Sequence, residues 1–171
     1  AYGIGTFGDA AFKFVDLLGD LKQKYWQVLP MGPLTVGDSP FQAISLFAGN
    51  PYYIDLDDLV EEGLLRREEI GAYRWGDSDD TIDYSVLYEN RYMVLRAAFE
   101  RFDRTDARYI AFCDKNKAWL EDYALYMALK YEMGGRAWYE WEDAVKDREE
   151  GALAHYRDKL SEPISFWKFC Q

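Results

Sequence analysis

Apolar residues recur with the 3.6-residue period of an α-helix over most of this chain, and the exceptions fall in its first third. Ala11, Phe14, Val15, Leu18 and Leu21 form one stripe behind Asp9, which predicts a helix capped by Asp9 and weakened by Gly19. Tyr25-Trp26-Gln27-Val28-Leu29 is short, aromatic and β-branched and stops at Pro30, the pattern of a buried strand. A helix leading directly into a buried strand is half of an α/β unit, so a parallel sheet is expected, although no second segment matches this one in quality. From Pro30 to Pro51 neither period is present. A loop of that length in a folded domain is usually there for function, and this one leaves the C-terminal end of the expected strand, where α/β barrels place their sites.

From Asp55 onward the pattern is helical almost throughout. Asp57 to Glu62 reads as a short helix closed by Gly63, and Arg66 to Ala72 as another, followed by a polar turn from Trp75 to Asp80. Ser85 is placed to cap a long helix whose packing face carries Tyr88, Tyr92, Leu95, Phe99 and Phe102. Thr105 is placed to cap the next, with Ile110 and Cys113 inward. Trp119, Leu120, Tyr123, Ala124, Met127 and Tyr131 mark one more, ended by Gly134-Gly135. Trp138-Tyr139-Glu140-Trp141, a charged helix near Arg148 to Leu160 and a helix opened by Ser161-Glu162-Pro163 complete the chain. At the other end, Tyr2-Gly3-Ile4-Gly5-Thr6-Phe7-Gly8 is a tight, irregular segment of the kind domains keep internal. With no initiator methionine before it, it reads as a cut end.

Charge narrows the partners. Twenty Lys and Arg stand against 31 Asp and Glu, a net of −11, which argues against nucleic acid and against an anionic membrane surface. The longest apolar run, Tyr123 to Leu129, is far too short to span a bilayer. Cys113 and Cys170 read as reduced thiols of a cytoplasmic protein. With His155 alone beside them they make no usual zinc spacing, and His155 reads as solvent-facing on a polar helical stretch rather than as a triad base. Aromatic residues make up 18% of the chain, enough to fill the core and still leave rings free to stack on sugars.

Glycosidase chemistry needs one ionised and one protonated carboxyl, about 5 Å apart in retaining enzymes. Asp38, in Gly37-Asp38-Ser39-Pro40, has the setting of a turn-forming residue. Glu140 and Glu142 have apolar neighbours that raise a carboxyl pKa, yet residues two apart do not share a helix face, so both read as structural or capping groups. No phosphate loop, dinucleotide fingerprint or nucleophile elbow is present. Spacing alone yields no catalytic centre.

The loop and its surroundings do resemble a known family. Tyr2-Gly-Ile-Gly-Thr-Phe-Gly8, Tyr25-Trp-Gln-Val-Leu-Pro-Met-Gly-Pro33, Gly37-Asp-Ser-Pro-Phe-Gln42, Phe47-Ala-Gly-Asn-Pro-Tyr52, Trp119-Leu-Glu-Asp-Tyr-Ala-Leu125 and Trp138-Tyr-Glu-Trp141 are similar, in order, to the N-terminal part of the 4-α-glucanotransferases, the amylomaltase or disproportionating-enzyme family. The resemblance implies an α/β fold: part of a (β/α)8 TIM barrel with a large, mainly α-helical insertion, the chain itself being mostly helical. Residues 1–54 would be a barrel portion, 55–160 a helical insertion subdomain and 161–171 a return towards the barrel. A lone parallel strand without neighbours would leave apolar surface exposed and the chain prone to associate.

The same resemblance implies transfer of an α-1,4-glucan segment to a new 4-hydroxyl by a retaining double displacement, with maltodextrin or another α-1,4-glucan as partner and no metal or organic cofactor. The family's catalytic carboxylates would lie beyond Gln171, so the chain alone is expected to be inactive. The implied substrate contacts are Asp38, Ser39, Pro40, Phe41 and Gln42. In these, Ser39 and Gln42 bond glucose hydroxyls, Phe41 supplies an apolar face where the family commonly has Tyr, and Asp38 shapes the turn. Tyr88 matches one of a pair of tyrosines forming an outlying glucan site, while Val36 stands where the other would be; Tyr88 reads equally as a packed helix residue. The competing class is a non-catalytic helical carbohydrate-binding or structural piece.

Overall fold

Short acidic side chains decide where the longer helices begin. A computed structural model describes residues 2–34, 39–78 and 80–171. Its described residues form α1 (Asp9–Asp20), α2 (Leu56–Glu61), α3 (Arg67–Gly71), α4 (Tyr84–Arg101), α5 (Ala107–Glu132), α6 (Asp143–Lys146), α7 (Glu150–Lys159) and α8 (Ser161–Phe169). The Asp55 carboxylate accepts from Asp57 N at 2.8 Å, that of Asp83 from Ser85 N and Val86 N at 3.1 Å, and that of Asp106 from Arg108 N at 2.7 Å. A cap of this kind stabilises a helix by about 1 kcal/mol.

These caps correct three sequence expectations. Ser85 lies inside α4 and is capped by Asp83 rather than capping. Thr105 is held by Asp103, whose carboxylate accepts from its N and Oγ1 at 2.8 and 2.6 Å, leaving Asp106 to open α5. Asp9 is the first residue of α1, after Gly8, and pairs with Lys13 instead. The two helices expected between 105 and 134 are one helix of 26 residues, about 39 Å long, and Ile110 on it is exposed.

The largest correction concerns the expected strand. Among the described residues there is no strand and hence no parallel sheet. Tyr25 to Leu29 carries no helix or ladder, and Tyr25 is 92% exposed. Its β-forming residues set a local preference, but a strand gains its hydrogen bonds only from neighbours, and none is present. The described residues are thus mostly helical.

The chain forms two compact units, one running to Phe102 and one from Asp103 to Gln171. In the first, Ile4, Tyr52 and Leu87 form a core cluster with Tyr53, Trp75, Tyr84 and Tyr92 against it. The buried face of α4 is Leu87, Arg91, Val94, Leu95, Ala98 and Phe99, turned from the expected stripe so that Tyr88 points outward. Arg101 at the end of α4 donates to Leu64 O and to both carboxylate oxygens of Glu69, tying α4 to α3. In the second unit α5 packs along α8, and Leu120, Ala124 and Ala128 of α5 are buried, as are Phe166 and Trp167 of α8. Burying a ring of that size is worth on the order of 2–3 kcal/mol. Lys168–Glu121 ties α8 to α5 at 2.7 Å, and Lys159–Glu132 ties the end of α7 to the end of α5 at 2.6 Å. The expected stop at Gly134-Gly135 is present: both residues are left-handed, and Gly135 N donates to Lys130 O at 2.7 Å.

Two outcomes follow from this packing. Helix α1 buries none of its residues, and Phe12, Phe14, Leu17, Leu21, Trp26, Leu29 and Met31 are exposed beside or beyond it. The 171-residue chain is expected to bind a hydrophobic dye in its native state, with binding reduced by Phe12→Ser and Leu17→Ser, as read by fluorescence titration.

The second outcome is an acid dependence. Hydrogen bonds from Arg101 and the Arg66 backbone, with their charges, hold the Glu69 carboxyl down to about 2 from its ordinary 4.5. A depressed carboxyl stabilises the fold above its unfolded pKa and loses that contribution as pH falls towards its folded one. Glu69→Gln should therefore flatten the pH dependence of stability between 4.5 and 2, measured by urea unfolding across that window.

Candidate functional site

The loop before the helical region is a closed structure with a built base. Asn50 N donates to Met31 O and Ile44 N to Pro33 O, both at 3.0 Å, so the two arms of the segment are bonded to one another. The crossing is close: a Cβ on Gly32 would stand 2.7 Å from Ser45 O and 2.8 Å from the Ala43 Cβ, so only glycine fits. Ser45 Oγ then accepts from Phe47 N and Ala48 N at 3.1 Å, fixing the returning arm.

Within this loop Ser39 to Gln42 forms a turn in which Gln42 N donates to Ser39 O at 3.0 Å. Ser39 and Pro40 are half-buried, whereas Gln42 is exposed and Phe41 is 75% exposed. A phenylalanine ring held outward on a pinned turn presents an apolar face to whatever approaches. Asp38, expected to shape this turn, lies outside the described residues, as does Val36.

The loop ends on a single 3-10 turn, Pro51–Tyr53, capped by Asn50, whose Oδ1 accepts from Tyr52 N at 3.0 Å. Beneath that turn lies Arg91 of α4, wholly buried. Its Nη2 donates to Tyr52 O at 2.8 Å and also to Ile54 O, and its guanidinium stands 5.9 Å from the Trp75 ring centroid. Burial pushes its pKa down to about 10, against the opposing attraction of Asp55, and it remains a cation at neutral pH. The intervening Tyr53 O accepts from Phe7 N at 2.9 Å, and Thr6 Oγ1 donates to the Asp55 carboxylate. Gly8 allows that approach, since a Cβ there would overlap the Asp55 carboxylate.

Tyr88 is 58% exposed and leans edge-on against Tyr92 at 6.2 Å, which in turn packs on Tyr52 at 5.8 Å. A relay of rings thus connects Tyr88 to the base of the loop, although the ring itself is not packed into the core. Sequence reasoning missed Arg91 and Asn50. The signal for Arg91 was its place in the row Leu87, Arg91, Val94, Ala98, where a cation sits among apolar residues at helical spacing.

The other candidates carry no chemistry here. The Glu140 carboxylate accepts from Ala137 N at 3.3 Å and that of Glu142 from Tyr156 Oη at 3.4 Å, the capping and structural roles expected of them. An open cleft lined by Asp77, Ser78 and Thr81 to Ser85 contains carboxylates already engaged, Asp77 by Arg74 and Asp83 by the α4 cap. Cys113 and Cys170 form no disulfide, and His155 is exposed. Among the described residues no three His, Cys, Asp or Glu side chains converge as a metal site, and no helix is long and apolar enough to cross a membrane.

The profile of one family, 4-alpha-glucanotransferase, matches residues 1–171. The chain belongs to the 4-alpha-glucanotransferase family. It is 43% identical over 171 residues to the 4-alpha-glucanotransferase of Clostridium butyricum, covering 99% of this chain and 35% of that protein. The Thermus thermophilus 4-alpha-glucanotransferase is 41% identical over 175 residues, covering 99% and 34%. Among solved structures, amylomaltase from Streptococcus agalactiae in complex with acarbose matches with a TM-score of 0.91 at 40% identity, over 99% of this chain and 35% of that one. The chain therefore spans about a third of the length of the 4-alpha-glucanotransferases it matches.

Ser45 tests the loop architecture directly. Ser45→Ala removes the acceptor of two backbone N–H groups and should cost about 1 kcal/mol. Hydrogen exchange at the Ala48 amide should accelerate while amides of α5 keep their rates.

Proposed function

We propose that the protein carrying this chain is a retaining glucan-disproportionating transglycosylase, and that the loop from Met31 to Asn50 is part of its donor-side wall. The observation that carries the reading is the family match over the whole chain, joined to a turn that holds Ser39, Phe41 and Gln42 together on a base of fixed hydrogen bonds. In this reading Ser39 and Gln42 bond glucose hydroxyls, Phe41 covers an apolar sugar face, Pro40 stiffens the turn and Asp38 shapes it. Tyr88 offers an outlying ring to a bound glucan. The acarbose held by the Streptococcus agalactiae amylomaltase supports a ligand of the α-glucan type. The net charge of −11 is compatible with a neutral polysaccharide and opposes a polyanionic partner.

The same proposal assigns residues 1–54 to a (β/α)8 barrel, 55–160 to its helical insertion and 161–171 to the return towards the barrel. The exposed Tyr25 to Leu29 segment would then become a strand once flanked by barrel neighbours, which would also cover α1. The nucleophile and the acid/base belong to the remaining two thirds of the protein. Glu69, Asp77, Asp103, Asp106 and Asp143 are held below their ordinary range by hydrogen bonds, the opposite of what a general acid requires, whereas Asp58 is raised by burial and by the acidic residues around it. Cysteines left in the reduced state fit a cytoplasmic setting.

Incubation of the full-length protein with maltotriose is expected to yield glucose together with longer maltodextrins, resolved by chromatography. Glucose alone would indicate hydrolysis, and no turnover from the full-length protein would overturn the proposal. The 171-residue chain alone should give none. Gln42→Ala should raise the donor KM about fivefold, the equivalent of one lost hydrogen bond.

A further inference from the structure

We propose that Arg91 is a positioning residue for the donor-side loop, setting the placement of Ser39 to Gln42 from beneath without touching substrate. The inference rests on the reading of that loop as a glucan-binding wall, and it adds a residue the family resemblance did not supply.

A chain of hydrogen bonds connects Arg91 to the loop. Arg91 Nη2 bonds the carbonyls of Tyr52 and Ile54, on either side of Tyr53, and so holds the strip of chain into which the loop closes. On that strip Asn50, 5% exposed, caps the 3-10 turn through its side chain and donates from its backbone to Met31 O across the mouth of the loop. Met31 leads through Gly32 and Pro33 to the second cross-bond with Ile44. Displacing the Tyr52 and Ile54 carbonyls therefore moves Asn50, and with it both arms that carry the turn.

Arg91 fits this role better than a general stabilising one. Both bonds go to the loop strip, while Nε and Nη1 find no acceptor among the described residues, so the cation serves two carbonyls and the Trp75 ring. A buried charge held this way is expensive, and an apolar residue of equal length would spare that cost. What it would not supply is the pair of directed bonds that gives the turn one position.

The test uses full-length Arg91→Met and Arg91→Lys, with two readouts. Kinetics with maltotriose should show donor KM raised about tenfold in the Met variant and about threefold in the Lys variant, with kcat within about twofold, the pattern of lost substrate binding. Hydrogen exchange should show faster rates at the Ile44 and Asn50 amides and unchanged rates in α5 and α8. Unaltered KM with a fall only in folded fraction or kcat would overturn the inference, as would wild-type exchange at both amides. Should the Met variant fail to fold, the Lys variant is judged by the same two criteria. A wild-type protein that transfers no glucan would remove the proposed function, and the exchange measurement would still decide whether Arg91 holds the loop.

Discussion

Three consecutive backbone carbonyls, those of Tyr52, Tyr53 and Ile54, set the terms for the first unit. They lie where the irregular loop meets the helical region, past the carbonyls that the 3-10 turn itself uses, and a buried carbonyl without a donor costs about 1–3 kcal/mol. The chain supplies donors from two directions: Arg91 of α4 for the outer two and Phe7 N for the middle one. Satisfying them brings the glycine-rich opening, the end of the loop and the middle of the longest helix in this unit to one place. The aromatic cluster around Ile4, Tyr52 and Leu87 then closes over the junction. Polar accounting and apolar packing are solved together here, which is why a charged residue occupies the centre of a hydrophobic helix face.

Much of this was legible from residue order, and the misreadings have identifiable causes. Helices with long apolar stripes were found because the stripe and the buried face coincide, as over Leu120 to Leu129. The caps were misplaced by short steps since Asp83 and Asp106 compete with Ser85 and Thr105 for the same role, and the aspartate lying just outside the helix wins by reaching the free N–H groups. The face of α4 was turned because aromatic size was taken as burial; Tyr88 is large and outward, while Arg91 is charged and inward. Tyr25 to Leu29 shows the limit of local propensity most plainly. Valine and tryptophan favour extended backbone, but the pairing that makes a strand is supplied from elsewhere.

The candidate loop was legible through its resemblance to a family and not in its architecture. Ser39-Pro40-Phe41-Gln42 stood out as a rigid turn, and the structure holds it as one. The hydrogen bonds from Asn50 to Met31 and from Ile44 to Pro33, by contrast, involve backbone atoms that any residue could provide, so no side-chain pattern advertises them. The acidic residues tell the complementary story: several are kept ionised by arginine, lysine or backbone donors.

Helix α1 has a consequence for how the molecule comes apart. In the 171-residue chain by itself none of its residues is buried, so separating it from the rest breaks no core contact, and a helix of 12 residues is marginal by itself in water. The free energy of opening this stretch is thus set by its own backbone bonds and lies far below that of α4, whose buried face must be exposed before it can fray. The first unit is consequently graded along its length, with a weakly protected leading part and a strongly protected junction at Arg91, and opening proceeds inward from the former.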